Sequence, residues 1–546
     1  MEKGGVNHTT ALRLAYGLAT VAILMVLSPI YKATPDLPVG EYAGWWLWLD
    51  QMSIAAAVCL AILVLLLGKG KIALEGPLST ALILTGLGEA FYGLSQAFGL
   101  THSLHPRYAM TGSFFNPGPY SGFLALVLPV CLNRMLCARE KIWAWIYGFG
   151  LLVMAIVLPA CMSRSAWLAA AVSCLWVYAQ HRGKWRQWWD WLRNLGRRTR
   201  AWMALACAGL VVLVGLLLFQ VKPDSARGRL LIWRITCEAI ANRPMSGCGL
   251  GGFPAAFGGA QEAWFSSKPR PAWQERVAGS PEYAFCDYLQ GMAELGIPCA
   301  LAIMTGVAIC MAFGVRRGRT GVVGALLSLL VFALSSYPLQ LPTFKVVSVL
   351  LLLACLSDGR RWQWAVLALA LALWGGLRLD DDRRQEQACR EWAVCRTLYR
   401  TGSYEEACRD YRRLLPLLCD RPDFLFEYGH AMHRLDRHAE AILILNQASH
   451  YSNDPMILNV MAQDEQSLGH YEAAERLLLR STHLQPTRLY PYYLLARLYA
   501  LPSYSHPDRY RWARDIVLHS TPKVESTAVK QMREQLRQMD EEDITE

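Results

Sequence analysis

Apolar blocks cut by short polar loops fill the chain from residue 11 to residue 377, and from Asp380 onward the sequence is strongly polar. No single solvent suits both halves. A helix needs about 20 apolar residues, or as few as about 17, to cross a bilayer. Inside a bilayer only helices and closed barrels satisfy every backbone hydrogen bond. The first half therefore reads as a polytopic all-α bundle. Eleven spans are expected, at residues 11–31, 52–67, 78–100, 120–137, 142–162, 165–179, 202–219, 283–313, 321–337, 344–356 and 362–377. The first block spans without a small-residue cleavage site behind it, so it reads as a helix that stays rather than a cleaved signal. The domain boundary falls at 378/379, giving a membrane domain over 1–378 and a soluble helical domain over 379–546.

The formal net charge is +11. Nucleic-acid binding is excluded as its cause, because the basic residues gather in loops between apolar blocks, as membrane topology requires. One set of alternate loops holds Lys69, Lys71, Arg134, Arg139 and Lys141, the run between Arg182 and Arg200, then Arg316, Arg317, Arg319, Arg360 and Arg361. Those loops and the N-terminus are expected in the cytoplasm. An odd span count then puts the tail in a periplasm-like space. Two outer segments stand out, 101–119 and the long, Trp-, Phe- and Gly-rich 221–282, read as ordered and functional. Cysteines inside apolar blocks read as small hydrophobes. Cys389, Cys395, Cys408 and Cys419 lie in the tail and can pair if it is extracytoplasmic; no metal-ligand spacing is present.

The tail repeats itself. Gly402-Ser403-Tyr404-Glu405-Glu406-Ala407 recurs as Asp436-Arg437-His438-Ala439-Glu440-Ala441 and as Gly469-His470-Tyr471-Glu472-Ala473-Ala474, the aligned alanines 34 and then 33 residues apart. That is the tetratricopeptide period, in which a small residue lets two helices cross closely. Such arrays form concave binding surfaces, so the tail is expected to take a protein partner; a generic helical tail is the plainer reading.

Five constellations can carry chemistry. In the turn Thr111-Gly112-Ser113-Phe114-Phe115-Asn116-Pro117-Gly118, Ser113 and Asn116 either present hydrogen-bonding groups or simply start a helix. Arg164, between Ser163 and Ser165 at membrane depth, is costly to keep there. It either forks onto phosphate or snorkels to headgroups. On the helix opened by Arg227, Gly228 and Arg229, the residues Arg227, Arg234 and Glu238 share a face, while Arg229 lies near Trp233. Arg229 is the better phosphate candidate, with surface pairing the alternative. Pro244 to Phe253 contains G-x-G-x-x-G, but no strand precedes it, so a dinucleotide site is excluded in favour of a close backbone approach. Glu282 and Asp287, at the entry of a span, are either general bases toward a sugar hydroxyl or helix caps.

In their order, and over roughly residues 100–343, these segments resemble the O-antigen ligase/O-antigen polymerase family. The landmarks are Gly112 to Pro117, the Ser163-Arg164 hairpin, Gly228-Arg229…Trp233, Pro244…Gly247-Cys248-Gly249, Tyr288-Leu289…Glu294-Leu295-Gly296 and Ser335-Ser336-Tyr337-Pro338. The resemblance implies a metal- and cofactor-independent glycosyltransferase of the inner membrane. It would draw glycan from an undecaprenyl-pyrophosphate carrier and pass it to a lipid or protein acceptor, with Arg164 and Arg229 as phosphate clamps. One departure stands: ligase-type members carry a histidine near the outer end of the helix after the long loop. Here no histidine occurs between His181 and His430, and Phe285 and Cys286 occupy that place. His102, His105, Glu282 or Asp287 is left to act as base. Polymerisation and transfer to protein hydroxyls stay open beside ligation. A flippase for lipid-linked glycan is the competing class, but the spans are nearly free of charge and show no internal duplication. A scaffold whose tail does the work would not need eleven spans.

Overall fold

A computed structural model describes residues 3–31, 43–68, 70–183, 190–191, 193–199, 201–202, 205, 223–522 and 525–545. It is 79% helical, with no strand among the described residues, so the all-α expectation holds. Among the described residues, six helices are long and apolar enough to cross a bilayer: Thr9–Tyr31, Ala43–Leu67, Pro117–Cys137, Lys141–Ala160, Ile297–Arg316 and Arg361–Thr401. Two shorter apolar helices, Thr320–Ala333 and Pro342–Leu356, accompany them. These do not confirm the eleven spans expected, and all but Trp202 and Leu205 of the expected span at 202–219 lies outside the described residues, as does part of the basic run before it. The chain divides into two compact units, 1–221 with 285–288 and 301–387, and 222–284 with 289–300 and 388–546.

The first unit contains α1 (Lys3–Leu27), α2 (Ala43–Leu67), α3 (Glu75–Ala97), α4 (Pro117–Cys137), α5 (Lys141–Ala160) and α6 (Arg164–His181). Helix α4 is its centre, touching α3, α5, α6 and, later in the chain, Thr320–Ala333. Without a hydrophobic drive between helices in lipid, small residues and hydrogen bonds set such crossings. A side chain at Gly122 would run into the Phe332 ring, one at Gly324 into Val177 and Pro129, and one at Gly86 into Val127 and Met154. The Ser328 hydroxyl donates to the Ala125 carbonyl at 2.8 Å, tying the same helices together.

The second unit begins with α7 (Pro223–Asn242), α8 (Phe253–Ser267) and α9 (Ala272–Val277), packed around Leu231, Ile235, Phe253, Phe257 and Trp264. Two helices then follow where one span was expected over 283–313. They are α10 (Asp287–Leu295) and α11 (Ile297–Arg316). The break is at Gly296, whose φ of +80° ends α10, and Pro298 in the first turn of α11 suits a helix start. Most of α11 is exposed apolar surface, as a lipid-facing helix requires. Three helices follow, α12 (Thr320–Ala333) and α13 (Pro342–Leu356), which belong to the first unit, and the long α14 (Arg361–Thr401), which runs unbroken past residue 378.

The tail adds α15 (Tyr404–Leu418), α16 (Pro422–His433), α17 (His438–Ser449), α18 (Pro455–Ser467), α19 (Tyr471–Leu484), α20 (Leu489–Tyr499), α21 (Pro507–His519) and α22 (Thr527–Thr545). From α15 to α21 each helix packs on the next. The sequence repeat has a structural counterpart: Gly402, Asp436 and Gly469 take φ of +86°, +57° and +82°, and Ala407, Ala441 and Ala474 are fully buried. Within this unit α8 lies against α19. The Gln261 side chain donates to the Gly279 carbonyl at 3.0 Å and also to that of Leu484. Arg480 pairs with Glu262 at 3.0 Å. Ser280 Oγ donates to the Asn453 carbonyl at 2.9 Å.

Near the end of the array, burial pushes the Glu475 carboxyl up. Hydrogen bonds from Tyr499 and Tyr504 and the Arg509 charge outweigh it and hold the group below the usual carboxylate range. A depressed folded-state value means stability that is present at neutral pH and lost as pH falls through the carboxyl's own range. Glu475→Gln is therefore expected to lower the thermal midpoint of the detergent-solubilised protein at pH 7. The gap to wild type should close in acid; an equal gap at both pH values would contradict the assignment.

Candidate active site

In the first unit, the sequence landmarks are joined by a chain of short contacts. The turn 111–113 is held from α3. Gln96 Oε1 accepts from the backbone nitrogens of Thr111 and Gly112 at 2.9 and 2.8 Å, and its Nε2 donates back to the Gly112 carbonyl at 2.9 Å. Glu89 accepts from the Ser113 nitrogen at 3.0 Å and from the Ser113 hydroxyl at 2.6 Å. Tyr120 donates to the Glu89 carbonyl at 2.9 Å. Gly112 has φ +57°, a left-handed conformation open to glycine at little cost. Ser113 is thus buried and committed to Glu89. Asn116 caps α4, accepting from the Gly118 nitrogen at 2.9 Å, the side-chain cap that asparagine favours.

The same turn meets two neighbours. Phe114 packs on Phe344 at the start of α13, ring centroids 6.0 Å apart. Met110 meets Cys161 at the end of the α5–α6 hairpin, sulfur to sulfur 4.0 Å. Met162 follows at φ +54°, and Arg164 comes next as the first, half-buried residue of α6. On this same unit Asp287 opens α10 and is 7% exposed. Its Oδ2 accepts from the Leu339 nitrogen at 2.8 Å and its Oδ1 from Gln340 Nε2 at 3.3 Å. Phe285 stands edge-on to Tyr337, 5.3 Å between centroids. Asp287 and Phe285 therefore fix the Ser335–Pro338 landmark to the start of α10.

The remaining candidates belong to the second unit. Arg227 is exposed on α7 and Arg229 is half-buried. Four residues on, one turn away, the Trp233 indole nitrogen is buried without a protein hydrogen-bond partner. Arg234 lies over the Trp264 ring at 4.7 Å, and Arg270 also covers that ring at 3.6 Å, a cation–π arrangement. Glu282 stays exposed; its surroundings, and then the Asp423 carboxylate, push its carboxyl above the usual range. The glycine-rich loop after α7 wraps the end of α10. Cys248 N donates to the Ala293 carbonyl and Gly249 N to that of Glu294, both at 2.9 Å, and Ile297 N donates to the Pro244 carbonyl at 2.8 Å. A Cβ at Gly247 would sit 2.3 Å from the Glu294 oxygen. The close backbone approach expected of this motif is made to a helix end.

Glu89 and Gln96 carry the first-unit site, yet sequence reading passes over them as parts of an ordinary span. A Glu and a Gln seven apart in an apolar stretch share a helix face, and intramembrane polar groups mark function or strain; that was the available signal. Asp287→Ala should strand the Leu339 nitrogen at a cost of about 1–3 kcal/mol, whereas Asp287→Asn keeps one acceptor oxygen and should recover much of the thermal midpoint. Equal losses in the two variants would argue against this positioning.

A search of curated proteins finds no match to the chain. Residues 149–304 match the family model described as O-antigen ligase, a stretch that includes Arg164, Arg229, Glu282 and Asp287.

Proposed function

We propose that the protein transfers or polymerises glycan from an undecaprenyl-pyrophosphate carrier at the periplasmic face of the inner membrane. The observation that carries this reading is that the O-antigen ligase match falls on the stretch holding Arg164, Arg229, Glu282 and Asp287. An acceptor hydroxyl oxygen, on a lipid or a protein, attacks the anomeric carbon of the donor sugar. The bond from that carbon to the pyrophosphate oxygen breaks, and its electron pair leaves with the pyrophosphate. Arg164 and Arg229 hold the phosphates and offset the charge that develops there. Arg227, Arg234 and the Trp233 indole N–H extend the donor-binding surface. The hydroxyl proton passes to Glu282, whose carboxyl is raised by desolvation and then by the Asp423 carboxylate, which makes it a stronger base than an ordinary carboxylate. No metal enters the step. Asp287 acts through the 338–340 turn it holds, as a positioning residue, and Ser113 and Asn116 act through the turn they build.

Segment 222–284 and the tail form one compact unit, which supports placing both on the periplasmic face. The tail's repeat and its left-handed turn residues support a tetratricopeptide array that receives a protein partner.

The test is glycan profiling of a deletion strain complemented with wild type, Arg164→Ala or Arg229→Ala. Accumulated single-repeat lipid-linked glycan in the deletion, unrescued by either variant at normal membrane level, is the expected result, and the ladder separates polymerase from ligase. Full-length glycan in the deletion, or complete rescue by both variants, would overturn the reading.

A further inference from the structure

Three side chains far apart in the tail sequence meet at one point. His433 ends α16, His438 begins α17 and Asp464 lies in α18. Their ligand atoms all fall within 4.8 Å of one another. Asp464 is fully buried. Its Oδ1 receives both imidazoles, His433 Nδ1 at 2.7 Å and His438 Nδ1 at 2.6 Å, while its Oδ2 has no hydrogen-bond partner in the protein. A buried carboxylate oxygen left without a donor costs free energy. The two histidines keep 18% and 16% of their side-chain surface exposed, so the cluster has one face open to solvent. Asp436 adds negative charge on that face, its Oδ1 3.8 Å from His438 Nε2.

The repeat supplies an internal comparison. Counted from the left-handed turn residue Asp436, the three lie three residues before, two after and twenty-eight after it. The same positions counted from Gly402 are Tyr399, Tyr404 and His430, and from Gly469 they are Gln466, Tyr471 and Arg497. In the first repeat the outer two of these meet as well, Tyr399 Oη to His430 Nδ1 at 2.8 Å. The contact between the outer two positions is therefore shared by the first and middle repeats. Only the middle repeat places a metal-ligating side chain at all three positions.

We propose that His433, His438 and Asp464 form a divalent transition-metal site, best suited to zinc, that clips α16, α17 and α18 together. Zinc accepts imidazole nitrogen and carboxylate oxygen, and three protein ligands leave its fourth position to water. A tetrahedral ion about 2.0 Å from each ligand atom spaces them about 3.3 Å apart, so small ring rotations open the cluster enough. The ring hydrogens now donated from Nδ1 to Asp464 move to Nε2, leaving the Nδ1 lone pairs to the ion with no net proton change. The site is separate from the glycan chemistry proposed above, and its occupancy is read without any activity measurement.

The probe is Zn²⁺ added to full-length protein, purified in detergent through a histidine-free tag, stripped with chelator and treated with N-ethylmaleimide to remove accessible thiols. Wild type should bind one more equivalent than the His433→Gln/His438→Tyr double variant, which carries the residues of the third repeat and so keeps packing that this fold already uses. Zinc should also raise the thermal midpoint of wild type and not of the variant. A Co²⁺ difference spectrum should show ligand-field bands without thiolate charge transfer. Equal stoichiometry and equal thermal response in the two proteins would overturn the site. Should the double variant fail to fold, His438→Tyr alone decides by the same comparison, since both neighbouring repeats carry tyrosine there.

Discussion

Arg229→Ala is expected to lower glycan transfer roughly 10²–10³-fold, the size of effect seen when one donor to a developing negative charge is removed, while leaving the amount of folded protein in the membrane unchanged. The second half of that expectation follows from the fold. Helix α7 buries Leu231, Ile235, Ala239 and Ile240, whereas Arg229 is only half-buried. Substitutions away from a packed core usually change stability by no more than about 0.5 kcal/mol. Arg229→Lys separates charge from shape. Lysine keeps a point charge but loses the planar fork that grips two phosphate oxygens, so its rate should fall between alanine and wild type. The kinetic split locates the contact. If Arg229 holds the pyrophosphate equally in the ground and transition states, KM rises and kcat stays. If it offsets charge on the departing pyrophosphate, kcat falls. Arg164→Ala should behave alike, because Arg164 is the first residue of α6 and outside the helix's buried face. A wild-type ladder from either variant would remove that arginine from the clamp.

How far the sequence could be read depended on range. The alternation of apolar blocks and basic loops made the helical membrane half legible, because length and hydropathy are local quantities. The tail's repeat was legible for the same reason: Gly402, Asp436 and Gly469 recur 34 and then 33 residues apart, and all three do adopt left-handed φ. The break at Gly296 was hidden because the apolar composition continues on both sides of it. What marks the break is a set of backbone bonds from a loop some fifty residues earlier, as in Ile297 N to the Pro244 carbonyl at 2.8 Å. Ser113 and Asp287 were visible as polar residues near helix ends, but what they bond was not. Their partners lie across the unit: Ser113 on Glu89 and Asp287 on Leu339 and Gln340. The expectation that the chain lacks a metal-ligand cluster rested on sequence spacing, and His433, His438 and Asp464 meet only through the stacking of three helices.

Gly112→Val is expected to prevent folded protein from accumulating. Glycine's φ of +57° there is a region where a β-branched residue is an outlier, at a cost of about 1–3 kcal/mol. Packing adds to this. The new Cβ would stand 2.4 Å from Tyr120 Cε2 and 2.5 Å from a Glu89 carboxylate oxygen. Neither can retreat: both residues are fully buried, Tyr120 is tethered through its hydroxyl, and Glu89 already receives two bonds from Ser113. Overpacking of this kind costs about 1–3 kcal/mol more, and displacing Glu89 would leave the Ser113 nitrogen and hydroxyl without their acceptor. Gly99→Ala supplies the control, because Gly99 has φ +72° with nothing within 4 Å of the added Cβ. It should show the backbone strain alone, and Gly112→Ala should lower the thermal midpoint by visibly more. The comparison also separates two roles for the turn. If Gly112→Ala folds with a lowered midpoint yet transfers glycan at the wild-type rate, the turn is a clasp between α3 and α4. If it folds with the midpoint of Gly99→Ala but loses transfer, the steric account is wrong and the turn backbone faces the substrate. If both stability and transfer fall together, Glu89→Gln decides, since it keeps the shape of the clasp and one of its two acceptor oxygens while removing its charge.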